Sequence, residues 1–283
     1  MTFELSRLFS HWPLPDVLRI LAGKLLFRFR IVAFPHHVIE EAEYRRIESL
    51  GFTITRHKTL LSIKRMDWKI PGLFLRKLTS DFHVFKQLFL KNEFDAFFSM
   101  IGSQSVYTII DAGANIGAAS LRFQQQFPQA KIYAIEPDDE NYKCLLYNAH
   151  VNGVNLVPVK AGIWSRNTTL FFDYSFRDRK EWSVALTEKP NAGKRVNCLS
   201  LNTLIEQEKI EWIDILKIDI EGSERAVFAP ESDLSFLHRT RFLAIELHHE
   251  FDVRNQIGSL LVNKGFQLAE SGEYLIGRNL SKT

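Results

Sequence analysis

The stretch from residue 106 to residue 136 constrains this chain more tightly than any other. Val106-Tyr107-Thr108-Ile109-Ile110 is a run of strand formers. It leads into Asp111-Ala112-Gly113-Ala114-Asn115-Ile116-Gly117, a turn punctuated by glycine. Ile116, Ser120, Phe123 and Phe127 then recur at helical spacing, and Pro128 ends that element. Lys131–Ile135 reads as a second buried strand, closed by Glu136-Pro137. Asp138, Asp139 and Glu140 suit the first turn of another helix. Its apolar face is expected at Tyr142, Leu145, Leu146 and Ala149, and its end at Asn152-Gly153. A third strand is expected at Leu156–Val159, with Pro158 marking a bulge or early end. Strand, helix, strand, helix, strand is the order of a mostly parallel sheet covered on both faces, so the fold class is α/β.

The second half is less regular. Ile213–Ile218 and Phe242–Leu247 read as buried strands, and Thr169–Phe172 and Arg195–Cys198 as further strands. Asn255–Lys264 reads as a helix ended by Gly265. Phe266–Ala269 and Tyr274–Gly277 read as an antiparallel pair turning at Ser271-Gly272. Ahead of the glycine turn the pattern changes. Pro15–Phe29 has helical periodicity, with Pro13 and Pro15 at its start. Phe52–His57 and Leu60–Arg65 read as a hairpin, and Asp81 is placed to cap a helix bearing Phe82, Phe85, Leu88 and Phe89 on one face. Residues 1–100 are therefore expected to form an N-terminal α+β appendage, a candidate substrate or oligomerisation region. Residues 101–283 are expected to form the main domain.

Composition narrows function by exclusion. Hydrophobic residues at 46% and charged residues at 24% suit a globular chain with a sizeable core. A net charge of +3 is too small to suggest specific nucleic-acid binding. No window approaches the roughly 18 apolar residues of a membrane span. Leu14–Phe34 is apolar but carries Asp16, Arg19, Lys24, Arg28 and Arg30. Those charges do not fit a signal peptide, so the default expectation is a cytoplasmic protein with this helix packed on its own domain; lying on a membrane surface is the alternative. Asn167-Thr168-Thr169, formally a glycosylation acceptor, then goes unused. Cys144 and Cys198 cannot support a disulfide-built fold.

Open α/β sheets bind ligands beyond the carboxyl ends of their strands. Gly113 and Gly117 allow a tight turn and close approach of a ligand to the backbone. Glu136 ends the next strand, where a carboxylate can accept both hydroxyl hydrogens of a ribose. Together these residues point to a nucleoside-containing cofactor. The run lacks the third glycine of a dinucleotide turn and places Asp111 at the strand tip. A positively charged amino-acid tail can use that aspartate better than a pyrophosphate can, which favours S-adenosylmethionine over NAD. The usual triphosphate loop is absent from the sequence.

Two later strands also end in polar residues. Leu216-Lys217-Ile218-Asp219-Ile220-Glu221-Gly222-Ser223-Glu224 places acids at a strand tip, with Asp219 and Glu221 on one side if both remain extended. Glu224 or Ser223 can instead simply cap the following helix. Ile245-Glu246-Leu247-His248-His249-Glu250 ends another central strand. Hard oxygen donors among these groups would suit magnesium, but no metal motif is present and the metal stays unassigned. His248 is the first candidate for a general base, because an imidazole titrates near neutrality. Asp219 and Glu246 are the alternatives. Tyr174, Phe176, Arg177, Arg179, Lys180 and Trp182 form either an acceptor wall or a solvated loop.

With these motifs in this order, residues 105–270 resemble the FkbM family of S-adenosylmethionine-dependent methyltransferases. The matching runs are Asp111–Gly117, Ile135-Glu136-Pro137, Leu199–Leu204, Leu216–Glu224 and Glu246-Leu247-His248. The resemblance implies a Rossmann-like, seven-stranded, mostly parallel sheet with one antiparallel strand near its end. It implies methyl transfer, often to oxygen, on a saccharide or other small hydroxylated molecule. By the same resemblance, Asp111, Gly113, Asn115 and Gly117 surround the cofactor's methionine end and Glu136 holds the ribose. The loop with Ile163 and Trp164 approaches the adenine, and Asp219 lies near the reacting side. A lipid-linked saccharide and a homo-oligomer are further expectations. A nicotinamide-dependent oxidoreductase and a noncatalytic saccharide- or nucleoside-binding protein on the same fold are the competing readings.

Overall fold

A computed structural model describes residues 36–77, 79–173, 185–189, 193–247 and 254–282. The helix expected over residues 15–29 lies outside them, as do Tyr174, Phe176, Arg177, Arg179, Lys180 and Trp182. Two compact units divide the chain, Met1–Gly72 and Leu73–Thr283. In the first, helix α1 (His36–Ser49) leads into an antiparallel hairpin of β1 (Phe52–Arg56) and β2 (Leu60–Arg65). Strand alternation selects its inner face, so Phe52, Ile54, Leu61 and Ile63 are buried. Phe52 meets Trp68 edge to face at 5.7 Å.

The second unit opens with β3 (Leu73–Arg76) and the short helix α2 (Asp81–Phe85), which widens into a π-type turn over Lys86–Leu90. Asp81 does not cap this helix. Ser80 is the N-cap residue, without a side-chain cap, and the Asp81 carboxylate takes the Arg76 guanidinium at 2.6 and 2.9 Å. A buried carboxylate gains more from two charge-assisted bonds than from one cap. Helix α3 (Asp95–Ile101) follows.

The expected strands and helices of the glycine-turn region are then present. They are β4 (Thr108–Ala112), α4 (Ala118–Gln126), β5 (Lys131–Ile135), α5 (Asp139–Asn152) and β6 (Leu156–Val159). Pro158 pairs with Ala134 on an edge strand, where its missing N–H costs the sheet no ladder bond. Next come β7 (Gly162–Ile163), β8 (Thr168–Asp173), β9 (Ala185–Thr187) and β10 (Arg195–Leu199), a small sheet ordered β7-β10-β8-β9. The main sheet resumes with β11 (Ile213–Ile218), β12 (Thr240–Glu246), β13 (Phe266–Ser271) and β14 (Tyr274–Asn279). Its order is β13-β14-β12-β11-β4-β5-β6, seven strands in all. Only β14 runs against its neighbours. Every residue of β11 is buried, as a central strand covered on both faces requires. No described helix is long and apolar enough to cross a membrane. Both cysteines are free and buried.

Helix α5 corrects the expected phase. Its buried residues are Asn141, Cys144, Leu145 and Asn148, while Leu146 is 39% exposed. Asn141 turns inward to the Arg76 and Glu136 side chains, and Asn148 to backbone groups beneath the helix. Asn148 Oδ1 accepts from the Phe74 amide at 2.8 Å, and its Nδ2 donates to the carbonyls of Phe74 and Ile116, both at 2.9 Å. One side chain thus satisfies three main-chain groups and joins β3 to the glycine turn. Asn148→Ala orphans all three and is expected to cost about 2–3 kcal/mol. Thermal melting should show a drop of roughly 5–10 °C.

Candidate functional site

The turn after β4 is glycine for a steric reason. Gly113 and Gly117 adopt φ of 80° and 84°. A Cβ on Gly113 would lie 1.7 Å from the Asp219 carbonyl oxygen, so any side chain collides with the end of β11. Asn115 also takes positive φ, at 49°. This aims its N–H at Glu136 Oε2, 2.8 Å away. The other Glu136 oxygen accepts from the Asp138 amide at 2.8 Å. Turn and strand-end acid are therefore one hydrogen-bonded unit. Burial pushes the Glu136 carboxyl up to about 7, against the opposing pull of these two backbone amides.

Lys217 lies under the turn, 2% exposed. Its Nζ donates to the Gly113 carbonyl at 2.8 Å and sits 3.2 Å from both Asp111 Oδ1 and Asp219 Oδ2. Burial opposes its charge, but the Asp219 and Asp111 carboxylates prevail and hold its pKa above the ordinary value. The second Asp111 oxygen accepts from Ser120 Oγ at 2.6 Å. Asp111 is thus fully buried beneath the cavity and faces Lys217 and Ser120. Gly117 begins α4 and does not line the cavity either. Sequence reading did not single out Lys217 as a site residue. Its one signal was a lysine between the apolar Leu216 and Ile218 in a buried strand, a placement that calls for a partner.

Two adjoining lobes open above this base. The polar lobe, about 210 Å³, is lined by His83, Gln87, Glu93, Glu246, Glu273 and Tyr274, among others. The apolar lobe, about 70 Å³, is lined by Glu136, Pro137, Ile163, Phe172, Leu186 and Ile220, among others. Gly113, Asn115, Asp219 and Glu221 border both. Ile163 therefore reaches the cavity, whereas Trp164 packs on the small sheet's core of Leu170, Phe172, Val196 and Cys198. Strand alternation does not bring Asp219 and Glu221 together, because β11 ends at Ile218 and Glu221 turns left-handed at φ 51°. Asp219 Oδ2 accepts from the Tyr274 hydroxyl at 3.4 Å. Burial, with Asp219 and Glu246 adding to it, raises the Tyr274 pKa well above its ordinary value. Burial and then Asp219, Glu273 and Glu221 likewise raise Glu246, with Lys217 opposing. Glu224 is structural: it accepts from the Ile220 amide at 2.8 Å, and burial pushes its carboxyl to about 7. His248 and His249 lie outside the described residues. Among the described residues, no group of three or more His, Cys, Asp or Glu side chains is arranged to hold a metal ion. Sequence reading missed His83, Gln87, Glu93, Glu273 and Tyr274, which no local motif marks.

The family model for the methyltransferase FkbM domain matches residues 111–268. The chain belongs to the FkbM methyltransferase family. It is an S-adenosylmethionine-dependent methyltransferase, as the turn and strand-end acid suggested. Methyltransferase sdnD of Sordaria araneosa is 29% identical over 69% of this chain and 85% of its own. The 31-O-demethyl-FK506 methyltransferase FkbM of Streptomyces tacrolimicus is 26% identical over 56% of this chain and 72% of its own. Among solved structures, precorrin-6y C5,15-methyltransferase of Geobacter metallireducens is similar with a TM-score of 0.38 and 12% identity. That likeness covers 64% of this methyltransferase and 83% of the other chain.

Two tests follow from the base of the site. Lys217→Met leaves Asp111 and Asp219 without their countercharge and is expected to destabilise the fold by about 3–5 kcal/mol, read from the denaturant midpoint. The folded protein also holds protons on Glu136 and Glu224 up to about 7, whereas the unfolded chain releases them near 4.5. Stability from these groups is therefore full below about 4.5 and lost as pH rises through about 7. The urea midpoint should fall between pH 5 and pH 8, and Glu224→Gln should remove part of that fall.

Proposed function

We propose that this methyltransferase acts on a hydroxyl oxygen of a saccharide or other small hydroxylated metabolite. The observation that supports this reading is the join between an apolar slot ending at a buried acid and a polar lobe edged by Asp219, Glu246 and Tyr274. S-adenosylmethionine supplies a methyl group already activated on a sulfonium. In the apolar lobe, Ile163, Phe172, Leu186 and Ile220 offer flat sides to an adenine. Glu136 Oε2 takes one backbone N–H and keeps a lone pair for a ribose hydroxyl, while Oε1 takes the Asp138 N–H and the Asn141 Nδ2 at 3.5 Å, the longer of which a second ribose hydroxyl would displace. Gly113 and Asn115, on the border of both lobes, face the methionine end. Lys217 fixes the Gly113 carbonyl and the Asp219 carboxylate at that border.

Asp219 is the acceptor-orienting group in this reading, since it borders both lobes and accepts from Tyr274. Burial, with the nearby acids adding to it, raises both Glu246 and Tyr274 and so favours their protonated forms, which can donate hydrogen bonds to acceptor oxygens. Several such donors and acceptors in a small concave lobe suit a polyhydroxylated molecule. The Streptomyces relative is named for a 31-O-demethyl substrate, which favours oxygen as the atom methylated.

Calorimetry with S-adenosylhomocysteine tests the cofactor half. Binding is expected in the wild type and should weaken about 100-fold in Glu136→Ala, the loss of two charge-assisted bonds. NADH binding in its place would overturn the reading. Ribose hydroxyls favour the ionised carboxylate, so affinity should fall as pH drops below about 7, by up to about tenfold per pH unit. Glu136→Gln should lose that dependence. Transfer of a tritiated methyl group to methyl glycosides, but not to the corresponding deoxy sugars, would support the acceptor half.

A further inference from the structure

The polar lobe draws on chain outside the family match, and the apolar lobe does not. Every residue lining the apolar lobe falls within the matched span of 111–268. The polar lobe also takes Gln87, Leu88 and Glu93 from before that span and Glu273 and Tyr274 from after it. These two flanks are joined into one wall. Gln87 Nε2 donates to Glu273 Oε2 at 3.3 Å, across 186 residues of sequence. Ser271 Oγ donates to the Glu93 carbonyl at 2.6 Å, and an added Cβ on Gly272 would stand 3.1 Å from Glu93 Cγ. The Phe94 and Tyr274 rings pack at 5.2 Å. Phe94 in turn stacks on Phe123 of α4 at 5.0 Å, and Leu88 and Phe89 are buried. Buried contacts therefore fix the wall, while at its edge Gln87 stays half-buried and Glu273 exposed. Gln87 sits in the π-type turn, a distortion that gathers at functional sites.

Resting on the hydroxyl-acceptor reading above, we propose that Gln87 is a specificity-determining residue that, with Glu273, recognises a second hydroxyl of the acceptor, distinct from the one methylated. Position separates the two hydroxyls. Asp219 borders both lobes, so the methylated hydroxyl belongs beside it, next to the cofactor. Gln87 and Glu273 line the polar lobe alone, so they meet a part of the acceptor remote from the methyl group. Their chemistry is complementary to a hydroxyl. A carboxamide carries two N–H donors, and Gln87 keeps one of them after donating to Glu273. A hydroxyl both accepts and donates, so it takes the second Gln87 N–H and gives its own hydrogen to the Glu273 carboxylate. A methyl ether or a deoxy carbon lacks that hydrogen and leaves the carboxylate to water. Because Glu273 is exposed, water remains available to it, and the discrimination is about tenfold, well short of that of a fully buried site.

Tritiated methyl transfer from S-adenosylmethionine to methyl glycosides and their monodeoxy derivatives tests this role. In the wild type, one monodeoxy derivative should keep its methylated hydroxyl yet lose about tenfold in kcat/KM. In Gln87→Ala, the parent glycoside should show a KM about tenfold higher, with the loss in KM and not in kcat. That same deoxygenation should then carry no further penalty, because its partner is already gone. S-adenosylhomocysteine should bind Gln87→Ala within about twofold of wild type, since the cofactor slot lies in the other lobe. Gln87→Glu, which sets a second carboxylate against Glu273, should raise KM at least as far. An unchanged KM in both variants, or a deoxy penalty that persists in Gln87→Ala, would overturn the proposal. So would a loss confined to kcat, or S-adenosylhomocysteine binding weakened as much as the glycoside KM. Wild-type protein that binds S-adenosylhomocysteine but methylates none of the glycosides would instead strike the hydroxyl-acceptor reading, and this proposal with it.

Discussion

A single buried ammonium holds the working end of this molecule together. Lys217 is the second-last residue of β11, and it meets Asp111 from β4, the Gly113 carbonyl from the turn and Asp219 from its own strand tip. Two carboxylates this close would repel each other, and the cation between them turns that repulsion into a pair of attractions. With Lys217 present, the three form a compact charged knot. The tips of two adjacent parallel strands, Lys217 opposite Asp111, are thereby locked at one height. The glycine turn can press against the Asp219 backbone because its carbonyl is already claimed from below.

From that knot the cavity divides by chemistry. On one side, β5 delivers Glu136 beside apolar side chains from β7, β8 and β9. On the other, β12 and β14 deliver Glu246 and Tyr274, and the segment after α2 delivers Gln87 and Glu93. The same burial that narrows the cavity raises Glu136, Glu246 and Tyr274 together. Desolvation makes these groups reluctant anions, so a ligand that hydrogen-bonds to the charged form of one and the neutral form of another sorts their roles.

Much of the fold was legible because its signals are local. The β4–glycine–α4–β5 unit announces itself through residues within thirty positions of one another, and the antiparallel pair of β13 and β14 through its Ser271-Gly272 turn. Errors arose where a group outside the helix redirected a side chain. Helix α5 turned Asn148 inward to reach Phe74 and Ile116, while Asp81 turned from its helix end to Arg76 on the preceding strand. In the site, Gly113, Asn115, Glu136, Ile163, Asp219 and Glu246 were readable as turn or strand-end residues, and they line the cavity.

What the sequence by itself determined is the α/β order, the glycine turn with its paired acid, and the family to which the chain belongs. Each of these rests on spacing along the backbone, and local sterics and periodicity act on near neighbours in sequence. Only the tertiary structure decided that Asp111 serves Lys217 beneath the cavity and that Tyr274 answers Asp219 across 55 residues. It also decided that His83, Gln87 and Glu93 share a wall with strand tips more than a hundred residues away. Those juxtapositions come from closing a seven-stranded sheet around buried charge, where long-range packing and desolvation choose the partners.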